Sequence, residues 1–150
     1  MDAINAFIEK INIYELVPDL SKLAGLMKTI ATVCMLIGPV CMLALGLIYY
    51  LAPPKEANRK FGFRTYFGMG SVEAWLFTQK VAGLVFTILG AVLLAAMIVL
   101  RAVYNSRDGM ALMSAAGVSV IAQLILLICA HIGVGVTSAV FFDRNGNRKR

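Results

Sequence analysis

Three stretches of this 150-residue chain contain no Asp, Glu, Lys or Arg: residues 29–54, 81–100 and 109–142. A helix needs about 20 apolar residues to cross a hydrocarbon core of about 30 Å, so each stretch is long enough to span a bilayer. Composition agrees with that reading. Hydrophobic residues make up 60% of the chain and charged residues 15%, against about 45–50% and about 25% in soluble domains. A soluble globular enzyme is therefore excluded, and so is a disordered segment, which lacks the apolar surface to bury. The expected fold class is all-α: an integral membrane bundle of three transmembrane helices, preceded by an N-terminal amphipathic helix lying at the interface.

The expected spans are about 29–52, 76–104 and 110–138. Pro53-Pro54 ends the first, because consecutive prolines remove amide donors and restrict the residue before them. Pro39, inside that span after Gly38, predicts a local kink, tolerated where a neighbour satisfies the freed carbonyl. The second span is entered from a helical start with Ser71 as N-cap and Glu73 in the first turn. The turn Asn105-Ser106-Arg107-Asp108-Gly109 is short enough to make the second and third spans an antiparallel hairpin. The third charge-free run exceeds one perpendicular crossing, and tilt, an unwound end near Gly133 and Gly135, or an interfacial tail from Val136 to Phe142 would absorb the surplus.

Residues 1–28 differ. Ile4, Phe7, Ile8, Ile11 and Tyr14 recur at helical spacing among charged residues, which is the pattern of an amphipathic interfacial segment. Pro18 is expected to break it before a second short piece ending near Gly25. Residues 29–142 form the membrane domain, with a loop at 53–75, and residues 143–150 form a basic tail.

Charge sets the expected orientation. The 53–80 loop and the C-terminus carry nine basic residues and the opposite side carries five. The positive-inside rule then puts the loop and C-terminus in the cytoplasm and the N-terminus outside, in a multi-pass protein of the cell membrane. The net charge of +6 lies between apolar blocks, where Lys and Arg meet anionic headgroups, so the bilayer is the expected partner and direct nucleic-acid binding is not. Gly83, Thr87, Ala91 and Ala95 make a small-residue stripe on the second span, suited to close packing against the third through Ala115, Gly117 or Ser119. An oligomer stays open. Cys34, Cys41 and Cys129 read as buried small apolar residues. His131 and Gln123 read as polar groups on one face, turned to the bundle interior.

No catalytic residue, metal ligand set or cofactor is expected. The serines lack a nucleophile elbow, and one His with scattered cysteines is a poor metal signature. Gly68-Met69-Gly70-Ser71 opens a helix as an anion cradle would, but without the Lys-Ser/Thr ending of a nucleotide loop. A lipid headgroup is the better anion for it.

The most distinctive stretch runs from residue 58 to 83. Three glycines, Gly62, Gly68 and Gly70, surround an Arg64-Thr65 step, and Glu73 is the acid available to hold the guanidinium. Trp75 is expected as a headgroup-level anchor. Asn58, Gly62, Phe63, Arg64, Thr65, Glu73, Trp75 and Gly83, with Thr78, Gln79 and Lys80 after the Trp, resemble the loop of the SdpI family of membrane proteins over most of residues 30–135. Tyr66 and Gly68 stand where that family often has proline and serine. The resemblance implies a bacterial immunity protein that protects its producer from a secreted peptide or protein toxin. It also implies capture of a cytoplasmic transcriptional repressor through the 53–80 loop, and hence a part in signal transduction. It places the motif on Asn58, Gly62, Arg64, Thr65, Glu73, Trp75 and Gln79. Two other classes stay open: a lipid-binding or transport-related protein using the Arg64 loop as a headgroup site, and a structural membrane subunit.

Overall fold

The first charge-free stretch is carried by α1, Leu20–Leu51, except for residues 52–54; the second lies within α2, Val72–Val103, and the third is α3, Gly109–Phe141, with Phe142 added. The computed structural model describes residues 20–55 and 61–149, with side chains from residue 22 onward. Residues 1–19 of the amphipathic segment expected over 1–28, and Asn58, lie outside the described residues. Among the described residues the fold is all-helical apart from one isolated bridge between Phe142 and Arg148. All three helices are long and apolar enough to cross a membrane, and the chain is a multi-pass membrane protein.

The helices are longer than the charge-free runs. α1 begins at Leu20, so residues 20–28 continue the span instead of forming a separate piece, and it passes through Gly25 without a break. A charge marks the edge of the hydrocarbon and not the end of hydrogen bonding, and lysine stems such as those of Lys22 and Lys28 reach back to water from within a helix. α1 does stop two residues before Pro53-Pro54. α2 starts where Ser71, with extended backbone, accepts a hydrogen bond on its Oγ from the Ala74 amide at 3.1 Å, and Glu73 follows at the positive helix end. α3 runs unbroken past Gly133 and Gly135 to Phe141, so no unwound end absorbs its length.

The three helices alternate in direction, and α1 lies most extensively along α2. Their seam is made of glycine and backbone. A Cβ on Gly83 would stand 2.5 Å from the Tyr50 amide nitrogen, and one on Gly90 would stand 2.6 Å from that of Leu43. Gly46 of α1 answers with the same closeness to Thr87. The small-residue stripe therefore faces α1, not α3, and it steps through 83, 87 and 90, leaving Ala91 and Ala95 exposed. Close backbone approach of this kind is what association in lipid rewards, since apolar side chains gain little there by leaving the tails.

Two small cores follow, one around Phe63, Phe86, Met42 and Val134 and one around Met35, Met97, Leu112 and Ala116. Ile37, Leu84, Ile88, Val92, Leu124 and Ile128 point outward, a continuous apolar exterior that suits a lipid solvent and not water. Cys41 and Cys129 are on that exterior and Cys34 is half-buried, contrary to the expectation of burial. A three-helix bundle encloses only a narrow stripe of each helix.

Pro39 is buried within α1. It has no amide to offer the Met35 carbonyl four residues earlier. Gln123 of α3 supplies the missing donor: its Nε2 donates to Met35 O at 3.0 Å. At the other end of the bundle Arg101 Nε donates to Thr32 Oγ1 at 2.8 Å and its Nη1 to Asn105 Oδ1 at 3.1 Å. The bonds of Gln123 to Met35 and of Arg101 to Thr32 tie α1 to α3 and to α2.

Candidate functional site

The loop between α1 and α2 is held by side chains of α2 that reach back to its backbone. Gln79 does most of this. Its Oε1 accepts from the Phe63 amide at 2.8 Å and its Nε2 donates to the Phe63 carbonyl at 2.7 Å. A primary amide offers a donor and an acceptor side by side, so Gln79 pairs with Phe63 as a neighbouring β-strand residue would. Both residues are buried. The Phe63 ring is thereby set 5.4 Å from the Phe86 ring, edge to face, and 4.6 Å from the His131 ring of α3.

Trp75 is fully buried, and its Nε1 donates to the Pro54 carbonyl at 2.7 Å. It therefore pins the start of the loop from inside and does not sit among headgroups. Gly62 meets its ring: at φ +122 it holds a conformation that L side chains rarely adopt, and a Cβ there would stand 2.5 Å from Trp75 Cζ2. Only glycine satisfies both conditions. Thr65 closes the next turn, its Oγ1 accepting from the Gly68 amide at 3.0 Å and its carbonyl from the Met69 amide at 3.2 Å. Below that turn, Thr78 Oγ1 and Ser138 Oγ lie 2.9 Å apart, joining α2 to α3 in the buried interior.

The C-terminal tail completes the frame. Asp143 Oδ1 accepts from the backbone amides of Asn145 and Asn147 at 2.9 and 2.8 Å, folding residues 143–147 into a tight turn. The Asn147 amide is the largest of the influences that hold the Asp143 carboxyl below its ordinary pKa. Ser71 Oγ donates to the Gly146 carbonyl at 2.7 Å, and Gly146 packs on the backbone of Gly70 and Ser71. The start of α2, expected to cradle an anion, is thus occupied by the chain's own tail.

Four of the motif residues, Gly62, Thr65, Trp75 and Gln79, meet in this frame, while Arg64 and Glu73 do not join it. Both are exposed, and among the described residues no ion pair links them. Arg64 leans to the α3 side, where with Thr65, Tyr66 and Phe67 it borders a slot of about 440 Å³ against His131, Ile132, Gly135, Val136 and Ala139. Glu73 rides the first turn of α2 away from that slot. His131 is exposed on the slot wall whereas Gln123 is buried, so the two do not share a face. Eight residues advance a helix by two turns and about 80° more. Sequence reasoning missed the roles of Phe63, Pro54, Ser138 and Gly146. The Asp-x-Asn-Gly-Asn run at residues 143–147 was the available signal for the last, since such residues favour side-chain-closed turns.

The frame makes a definite prediction. Gln79→Leu keeps the volume but leaves the Phe63 amide and carbonyl without partners, at about 1–3 kcal/mol for a buried polar group stripped of its bond. We expect a stability loss of about 2–3 kcal/mol in reversible unfolding from mixed micelles, with faster proteolysis between residues 61 and 66. Thr137→Ala, at a half-buried position whose hydroxyl bonds back to the Gly133 carbonyl of its own helix, should stay within about 0.5 kcal/mol. Equal stability of Gln79→Leu and the parent would show that the amide pairing carries nothing.

The family model described as the SdpI/YfhL protein family matches residues 55–141. The match takes in the described loop, α2 and α3 and leaves α1 outside, so it begins later than the resemblance read from the sequence. No curated protein and no solved structure matches the chain. The matched stretch is more than half of the 150 residues, and it contains Gly62, Thr65, Trp75 and Gln79 of the frame, with Pro54 and the tail outside it: the chain belongs to the SdpI/YfhL protein family.

Proposed function

We propose that this is a membrane immunity protein, one that protects the cell producing it from a secreted antimicrobial toxin by meeting the toxin within the bilayer. Membership of the SdpI/YfhL family supports the class. The observation that carries the site is the division of labour in the loop. Gly62, Thr65, Trp75 and Gln79 turn their groups inward on the frame, while Arg64 and Tyr66 are exposed. An outward Arg on a fixed backbone is preorganised to pair with a carboxylate or other anion of a partner, because little further ordering is needed on binding.

The end of the bundle that carries the loop and tail faces the cytoplasm in this reading. Lys55, Arg64, Lys80, Arg144, Arg148 and Lys149 lie there, and the positive-inside rule favours that side. A toxin intercepted there has already entered the membrane.

Two experiments test the reading. Expression in a cell sensitive to a secreted antimicrobial toxin, challenged with any toxin found encoded beside this protein, should raise survival, and Arg64→Ala should return survival to that of the empty vector while the amount of protein holds. Absence of protection by the parent protein would overturn the function. For orientation, Asn105→Cys in a variant lacking the native cysteines should react in intact cells with a maleimide that cannot cross membranes. Reaction only after the cytoplasm is opened would show the protein to be inserted the other way.

A further inference from the structure

We propose that the slot beside Arg64 is a binding site for one anionic phospholipid, its phosphate at the loop and an acyl chain laid along α3. This goes beyond the immunity reading and does not depend on it.

The rim of the slot is cationic. Arg64 is exposed and, among the described residues, has neither an ion pair nor a hydrogen bond to its guanidinium. Lys149 stands at the same rim: its Nζ lies 5.8 Å from the centroid of the Phe67 ring and donates to the Ala139 carbonyl at 2.6 Å, and Phe67 and Ala139 both line the slot. Asp143 of the tail keeps its carboxylate on the amides of Asn145 and Asn147 and acts on Lys149 through space, so Arg64 is the rim cation that has no acidic partner among the described residues.

The floor is apolar and open. Ile132 and Val136 form it, and Gly135 between them puts no side chain into the space. A Cβ at Gly135 would come no nearer than 4.0 Å to Thr65 Cγ2, so the gap is real and not filled by a neighbour. His131 bounds the floor one turn deeper along α3.

Three features choose the occupant. Two cations call for an anion. An apolar floor running from Ala139 towards His131 follows the helix axis, as lipid chains do. The slot lies on the outer face of α3 beside exposed Ile132 and Val136, so it opens to the bilayer. A free phosphate meets only the first condition, and a zwitterionic lipid brings its own cation to a rim that already holds two. Basic pockets on the cytoplasmic side of membrane helices hold anionic headgroups for the same reason.

The test uses the purified full chain in neutral detergent, titrated with dioleoyl phosphatidylglycerol, dioleoyl phosphatidylcholine or glycerol phosphate and followed by native mass spectrometry. We expect one phosphatidylglycerol adduct, held about fivefold or more tighter than phosphatidylcholine, the factor a single surface cation is worth. Arg64→Gln and Lys149→Gln should each erase most of that preference, and Gly135→Leu, which fills the floor, should weaken both lipids. Lys80→Gln, exposed at the same end but off the slot, should change nothing. Equal loss from Lys80→Gln would replace the site with diffuse surface charge and overturn the proposal, as would glycerol phosphate held as tightly as the lipid. Should Gly135→Leu fail to fold, the contrast between Arg64→Gln and Lys80→Gln decides alone. The assay contains no toxin, so its outcome is separate from that of the protection experiment.

Discussion

A backbone amide or carbonyl inside lipid must find its partner within the protein, because no water is there to supply one. Two glutamine side chains meet that demand here, and the rest of the structure is arranged around them. Gln123 reaches across from α3 to the Met35 carbonyl that Pro39 leaves without its helical donor. Gln79 reaches back from α2 to both polar groups of Phe63, where the loop descends between the helices. Each needs a glycine beside it: Gly38 lies directly against the Gln123 carboxamide, and Gly62 brings the loop backbone onto Trp75 one turn before Gln79.

The loop's outward chemistry depends on this inward saturation. Trp75, Thr65, Thr78 and Ser138 all spend their polar groups on the frame, and the tail covers the start of α2 through Ser71 and Gly146. Arg64 stays exposed on the border of the slot, and Lys149 lies against two of its lining residues, Phe67 and Ala139. Protection from a toxin and retention of an anionic lipid are both proposed for that surface, and both draw on a cation held at the membrane boundary by a backbone that does not have to be ordered first.

Much of the architecture was legible because it follows from local sequence. The absence of charge marks a span, paired prolines mark the end of α1, and Ser71 two residues before Glu73 marks the start of α2. Helix ends were less legible, since charge reports the edge of the hydrocarbon and α1 continues nine residues beyond the expected start at 29. Partnership was hardest to read. The stripe at Gly83 and Gly90 shows close packing, but nothing in one sequence says that α1 and not α3 lies against it. Trp75 reads as an interface anchor and becomes the core of the loop, where its Nε1 donates to the Pro54 carbonyl. The bond between Gln79 and Phe63 joins side chain to backbone across 16 residues, a separation at which no periodicity or propensity gives a signal. The family motif did not show that Gly62, Thr65, Trp75 and Gln79 build the frame while Arg64 and Glu73 are exposed outside it.

The central claim is that a side-chain amide stands in for a missing backbone donor within the membrane, and a double-mutant cycle tests it most directly. Pro39→Ala restores an amide four residues after Met35, making the Gln123 donor dispensable. In reversible unfolding from mixed micelles, Gln123→Leu should cost about 1–2 kcal/mol in the parent, as for a buried carbonyl left unpaired, and no more than about 0.5 kcal/mol in the Pro39→Ala background. The same cost in both backgrounds would contradict the account.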